Sequence, residues 1–509
     1  MSNFESSYPL ALKKGGYDLL AWGYDWWTCT LFFAVVHTRE TQQRNATKKR
    51  EALHMKRAAE DTPAAGSNED ERFPWEKEPS RYIDGALAVK LKFVASLDDA
   101  AQVSALPSYS AEYVHQIFEP QGAIECPEPE RPLELTVVYS AATLDVCHKL
   151  DPVSASTGVA DAVMRLAAAL PSPAEESYFD LVPTPGFSPA GELAGDQISS
   201  YTMPRAGPGS TFEVHLAQLG PKAPAERLRF AERLQTVFRF CIETSESIDT
   251  SDEHWDLVTI FERKDAADGG AGSDDRVMSP TPPSYSLIAA CTLYRFQRWV
   301  AGHGPVPLIR ICQAASLPPY RGQGHGSRLL QAVYTIAKER VDAREVTVED
   351  PNEGFRQLRD RVDYRNCIAA GLMAPTATDG VAPPAELLSI ARSALRITED
   401  QLTRCYELQQ YAKIGKQAVG TEGAKAWRLC IKRRLLKLHQ EELDAVLSVK
   451  VKAEKDAAKK GSGGGAGGTS GAADDDGPSK ENLVAARKAR LEELFQELLV
   501  EYDQVLEKL

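Results

Sequence analysis

The residues with the clearest chemical potential lie between Leu317 and Asn352. Arg321-Gly322-Gln323-Gly324-His325-Gly326 follows an apolar run ending near Ala315 and precedes an amphipathic stretch. Closely spaced backbone N–H groups at the start of a helix carry partial positive charge and bind an anion such as a pyrophosphate. Glycine suits that approach: at Gly324 and Gly326 a Cβ would obstruct phosphate oxygens or a positive-φ turn, and Arg321 would add charge. Further on, Glu349 and Asp350 adjoin at the end of a predicted strand. Side chains there project into the cleft of an α/β fold, where a carboxylate can act as a general base. A dinucleotide site would need G-x-G-x-x-G and an acidic residue ~20 positions on. The glycines here are spaced differently, but Glu349 and Asp350 stand about where that acid would, so spacing alone leaves this reading open.

The elements that must position these groups are legible from periodicity. Pro307–Ala315 reads as a strand, His325–Val341 as a helix and Arg344–Glu349 as a strand, a βαβ pattern around the glycine turn. Upstream, strands are expected at Thr211–Leu219, Trp255–Glu262 and Ser286–Phe296, and an amphipathic helix at Ala225–Ile242, with a loop over Asp265–Pro283. Short apolar runs at Ala88–Val94 and Leu133–Tyr139 suggest a smaller α/β unit. Residues 152–210 read mostly as loop, with one helical patch at Val159–Leu170. Beyond Pro384 the chain turns helical, with a capping signature at Thr398–Gln401 and amphipathic stretches from Trp427 to Val451. Gly461–Pro478 has the composition of a flexible linker. A last helix carries Leu491, Leu494, Phe495, Leu498, Leu499, Tyr502, Val505, Leu506 and Leu509 as a stripe expected to pack on the preceding helices.

A chain of 509 residues exceeds what one hydrophobic core usually supports. The net charge of -13 opposes phosphate-backbone binding and suits a basic substrate, so no direct nucleic-acid partner is expected. The nine cysteines lack C-x-x-C pairs, which indicates neither a zinc site nor a disulfide framework and points to a reducing compartment. Leu19–Val36 is apolar but interrupted by Gly23 and Asp25, too short for a membrane span. Residues 1–80 read as a variable, disordered arm, with folding expected from about Tyr82. Within it Lys48-Lys49-Arg50 fits either a nuclear-import signal or a solvated charge run.

R/Q-x-x-G-x-G/A after a strand is the coenzyme A motif of the GNAT superfamily, matched here by Arg321, Gly324 and Gly326. More specifically, Leu317–Gly326 together with Val348-Glu349-Asp350-Pro351-Asn352 resembles the catalytic subunits of the type B histone acetyltransferases. Tyr113–Phe118, Glu232–Thr236, Ile242–Thr244, Asp252–Trp255, Leu358–Arg361, Ile431–Leu435 and Leu494–Leu498 agree with that resemblance.

The resemblance implies an α/β fold: a GNAT mixed sheet with flanking helices (196–368), a smaller N-terminal α/β domain (81–195) and a C-terminal helical domain (369–509) containing the 461–478 linker. It implies acetyl-CoA as co-substrate, no metal, and direct transfer to lysine. A lysine of pKa ~10.4 is less than ~0.1% neutral at pH 7, so a base is required. Glu349 matches the family's base, Asp350 would orient it, and Glu243 matches a further acidic residue of the site. Trp255 and Tyr294 would line the lysine groove. The backbone of Ala314, Ala315 and Ser316 would pair with the pantetheine arm. Arg321, Gly322, Gln323, Gly324, His325, Gly326 and Ser327 would hold the pyrophosphate, and Asn352, Phe355 and Arg361 would touch the far side of CoA. Histone H4 (with H3), a WD40-repeat histone chaperone, and residence in nucleus and cytoplasm are the further implications, with no membrane partner. The rival readings are a GNAT enzyme for another protein or a small amine, and a non-catalytic histone-binding assembly factor.

Overall fold

Two consecutive long strands, Ser284–Val300 and Gly304–Ser316, organise the molecule. In the computed structural model, the described residues are 72–126, 132–147, 156–171, 177–204, 209–265, 283–374, 380–414, 421–440, 443 and 480–509. The expectations for most of the N-terminal arm, for Leu19–Val36, for the 265–283 loop apart from its ends and for the 461–478 linker fall outside them. Phe73–Leu509 forms one compact unit. It starts earlier than Tyr82, with a short helix at Pro74–Lys77 and the stacked rings of Phe73 and Trp75.

The N-terminal part holds β1 (Tyr82–Asp84), β2 (Val89–Val94), β3 (Tyr109–Ser110), β4 (Ala123–Glu125), β5 (Leu135–Ser140) and β6 (Val146–Cys147), followed by α1 (Thr157–Ala169). β1 pairs with β4, and the others form a four-stranded sheet in the order β3-β2-β5-β6. β7 (Asp196–Tyr201), β8 (Ser210–Gln218), α2 (Ala225–Cys241), β9 (Trp255–Lys264), β10 (Ser284–Val300), β11 (Gly304–Ser316), α3 (His325–Glu339), β12 (Val346–Val348) and α4 (Glu353–Ala369) come next. The large sheet has six strands in the order β12-β11-β10-β9-β8-β7. All pairs are antiparallel except β11–β12, where α3 makes the crossover.

β9 reads Leu-Val-Thr-Ile-Phe over Leu257–Phe261 without polar alternation, as a strand buried on both faces should. On one face Val258, Ile260, Leu293, Ile309 and Ile311 pack with Leu329, Val333 and Ile336 of α3. On the other, Leu257, Phe261 and Leu287 meet Phe230, Leu234 and Phe238 of α2, and the same core continues into Leu91, Val137 and Tyr139 of the small sheet. The N-terminal sheet therefore shares a core with the large one through α2. β7 was not expected from the sequence. Its Asp-Gln-Ile-Ser-Ser-Tyr run is mostly polar because it is an edge strand, specified by its ladder to β8 more than by a buried face.

The chain ends in α5 (Glu399–Ile414), α6 (Glu422–Leu438) and α7 (Lys480–Leu506). Thr398 caps α5 by accepting from the Gln401 N–H at 3.3 Å. Leu494, Phe495, Leu498, Tyr502 and Val505 of α7 join the core that includes Trp427, Ile431 and Leu435 of α6, so the terminal stripe is covered by its own chain. At the centre of this helical layer Glu407 is 2% exposed. Its carboxylate accepts from Arg434 Nε and Nη2, both at 2.7 Å, and from Tyr502 Oη at 2.7 Å. Glu407→Ala removes the acceptor of the half-buried Arg434 guanidinium and of the buried Tyr502 hydroxyl, and a loss of about 3 kcal/mol in chemical denaturation is expected. A change within error would mean that the pair is effectively solvated.

Candidate active site

The site begins with one extra residue. β10 and β11 pair in register until Thr292↔Gln313 is followed by Leu293↔Ile311, leaving Cys312 as a bulge on β11. A bulge bends its strand and raises the local twist. β12 pairs with β11 only over Ile309–Ile311, with one more bond from the Glu349 N–H to the Ile311 carbonyl at 2.9 Å. Beyond it, among the described residues, no strand continues the ladder beside Cys312–Ser316, although β10 still pairs their other edge. Ala314, Ala315 and Ser316 thus line an open main-chain edge at the carboxyl end of two parallel strands, where open α/β sheets take ligands.

The glycine turn closes one end of that edge. Gly322 and Gly324 have φ of 74° and 96°, the left-handed region, and Gly324 is the N-cap of α3. The first N–H groups of α3, from His325 and Gly326, have no intrahelical acceptor, and the Ser327 N–H turns back to Gly324 O at 3.1 Å. One expectation needs correcting here, the charge offered by Arg321. Gly326 lies in the first turn of α3, and a Cβ there would meet Leu358 Cδ1 at 3.3 Å, so this glycine also lets α3 and α4 approach. Arg321 does not present its side chain to an anion: Nε donates to Ser316 O at 3.0 Å and Nη1 pairs with Glu112. Only its backbone belongs to the turn, while its guanidinium ties the turn to the N-terminal part.

His325 is 1% exposed, with Nδ1 at 2.8 Å from Tyr201 Oη and its ring on Phe212. Burial lowers its pKa, so the ring is a neutral core group and only its N–H faces the turn. Gln323 Nε2 donates to Pro319 O at 3.0 Å. Asn352 caps α4, its Oδ1 accepting from the Phe355 N–H at 2.9 Å, and Phe355 packs at the rim of the core. Arg361 stands apart from these satisfied groups: its Nη1 is buried with no acceptor. Burial and the nearby Arg365 push its pKa down, a cost that an anion would relieve. An open strand edge, unpaired helix-start amides and an orphaned guanidinium fit a CoA with its phosphates.

Glu349 and Asp350 lie past the end of β12, and Asp350 has φ 34°. Asp350 is therefore a turn residue, and alternation along a strand does not set its direction. Glu349 is half exposed, with Oε1 at 3.8 Å from Arg310 Nη1. Arg310 is the register partner of Tyr294 on β10, and Tyr294 that of Trp255 on β9. Tyr294 packs on Trp255 with ring centroids 4.8 Å apart. Cation and aromatic pair thus form a row across β11, β10 and β9, with Glu349 beside its first member. At its far end the backbone and ring N–H groups of His254 hold the Asp252 carboxylate below the usual range, with Nδ1 at 2.7 Å.

Glu243 sits exposed in the turn after α2. Among the described residues no hydrogen bond joins its carboxylate to this row, and its main-chain carbonyl accepts from Gln116 Nε2 at 3.4 Å. Its loop is nevertheless docked beside the bulge, because Gln313 Nε2 donates to Ser245 Oγ at 3.0 Å and Glu246 O at 2.7 Å. Sequence reasoning missed Gln313 and Cys312, since neither the bulge nor this docking leaves a local pattern.

Residues 275–358 match the Acetyltransferase (GNAT) family, the class that this open edge and glycine turn define, and the chain is an acetyl-CoA-dependent acetyltransferase. Along most of its length it is similar to proteins named histone acetyltransferase type B catalytic subunit. It is 24% identical to that of Mus musculus over 444 residues, 83% of this chain and 92% of the relative. Against that of Homo sapiens it is 24% identical over 447 residues, with the same two coverages. Against that of Mycosarcoma maydis it is 26% identical over 331 residues, 61% of this chain and 69% of the relative.

Arg361→Met is expected to raise the acetyl-CoA Kd about tenfold by removing one charge-assisted contact, measured by calorimetry, without destabilising the free protein. Gly324→Ala, strained at its positive φ, is expected to cost about 1 kcal/mol in stability and to weaken the thermal shift that acetyl-CoA produces. Unchanged acetyl-CoA affinity in both variants would place the cofactor elsewhere.

Proposed function

We propose that the chain transfers acetyl from acetyl-CoA to a lysine on the N-terminal tail of newly made histone H4, by direct attack with Glu349 as general base. The observation that carries this reading is the placement of Glu349. It stands where the β11–β12 ladder ends, beside the open edge and 3.8 Å from Arg310, the register partner of Tyr294, which packs on Trp255. The names of the relatives and the net charge of -13 support a basic histone tail as substrate.

Acetyl-CoA brings its acetyl group activated as a thioester. The α3 amides and Arg361 would hold its phosphates, and the edge of Ala314–Ser316 its pantetheine arm. Tyr294 and Trp255 would flank the aliphatic stem of the lysine, keeping its ammonium in reach of Glu349. Glu349 would take the ammonium proton, so that the neutral amine attacks the thioester carbonyl, the amide C–N bond forms as the C–S bond breaks, and CoA leaves as its thiolate. Asp350 and Glu243 would add negative potential for a cationic tail. A WD40-repeat chaperone as partner, and work in both nucleus and cytoplasm, complete the reading.

Glu349→Gln keeps the shape and removes the base. A fall in kcat of about 10²–10³-fold is expected, with little change in acetyl-CoA binding, followed by mass spectrometry of an H4 tail peptide. Unchanged acetylation would favour another base, and higher turnover on spermine than on the peptide would favour a small-amine enzyme.

A further inference from the structure

The glycine turn leaves β11 at Ser316, yet the first residue of the helix it opens packs against the far strands of the sheet. The buried His325 ring meets Phe212 of β8 with centroids 4.7 Å apart, and its Nδ1 stands 2.8 Å from Tyr201 Oη. Tyr201 is the last residue of β7 and the register partner of Phe212, on which it stacks at 5.1 Å. Arg328, one turn along α3, holds its guanidinium carbon 5.2 Å from the centre of the Tyr201 ring. Two residues past β7, Met203 Cε comes to 3.4 Å from the place that a Cβ on Gly324 would take. The far edge strand and the residues just after it therefore grip both the N-cap and the first residue of α3, although β7 has no task in the chemistry above.

We infer that Tyr201 is a positioning residue for the cofactor: its hydrogen bond to the His325 ring fixes the direction in which the free His325 and Gly326 amides face the CoA phosphates. This rests on reading the glycine turn as the phosphate site. His325 carries both a ring held in the core and a backbone N–H with no intrahelical acceptor, so a ring that swings takes the amide with it. Among the described residues no other hydrogen bond reaches that ring. The turn has little stiffness of its own, because Gly322, Gly324 and Gly326 leave its backbone the widest freedom. Burial pushes the Tyr201 phenol up and the His325 ring down, so a hydroxyl meets a neutral imidazole and the pair carries no charge that would compete for the anion. Without the hydroxyl, Nδ1 is left buried and unmet, and the start of the helix shifts to relieve it.

The test uses the full chain and two acetyl donors, acetyl-CoA and S-acetylpantetheine, which has the same thioester arm without the phosphates. Tyr201→Phe removes the hydroxyl and keeps the ring on Phe212. Its Kd for acetyl-CoA, measured by calorimetry, is expected to rise about fivefold, while its Kd for S-acetylpantetheine, measured by competition, stays at the wild-type value. General loosening of the fold would weaken both donors alike. His325→Leu is expected to produce a similar selective loss, and Tyr201→Phe added to it no further loss, since two apolar partners leave no buried polar atom unmet. Wild-type affinity for acetyl-CoA in Tyr201→Phe, equal losses for the two donors, or additive losses in the double variant would each overturn the inference. Should the wild type itself bind acetyl-CoA no more tightly than S-acetylpantetheine, the phosphate reading of the turn fails, and the inference with it.

Discussion

The interruption of pairing between β11 and β12 is the constraint on which the site depends. A parallel pair that continued to Ser316 would satisfy every main-chain group on that edge and leave nothing to hold a ligand. The bulge at Cys312 ends the pairing after Ile311, so one strand carries two functions. Its lower half is paired on both edges, and its upper half is paired only with β10, which leaves the other edge open. The same break puts Glu349 at the point where the gap begins.

An open edge of this kind is tolerable only in a rigid frame, since exposed strand edges invite irregular pairing. Here the frame is built from both sides of the sheet. α3 and α4 cover one face, and α4 is in turn fastened to the C-terminal helices: Arg404 Nη2 pairs with Asp360 at 2.6 Å and with Glu501 at 3.0 Å. The other face is filled by α2 and the small sheet in one continuous core. Arg321 adds a polar tie between the glycine turn and Glu112. The helical layer and the N-terminal sheet thus lie far from the chemistry in sequence but set the position of the elements that perform it.

The correction at Arg321 has a physical cause. Residues of the glycine motif look alike as ligand contacts, but the guanidinium of Arg321 turns to Ser316 and Glu112. Its partner Glu112 lies far away in the chain, so the local string does not reveal which way that side chain points. The same holds for the ring of His325, which packs on Phe212 and Tyr201 while its backbone stays at the start of α3.

The sequence by itself determined the alternation of strands and helices around the glycine turn. Apolar period, turn residues and the unusual run Arg321–Gly326 are local properties, each imposed by the backbone conformation of its own segment. It also determined that carboxylates follow the strand after that turn. Only the tertiary structure decided that β7 closes the sheet as a polar edge, that Cys312 is extruded as a bulge, that Gln313 anchors the loop bearing Glu243, and that Nη1 of Arg361 is buried without an acceptor. Those outcomes depend on register, on burial and on which distant groups satisfy one another. Such properties belong to pairs of segments, and no single stretch of chain contains them.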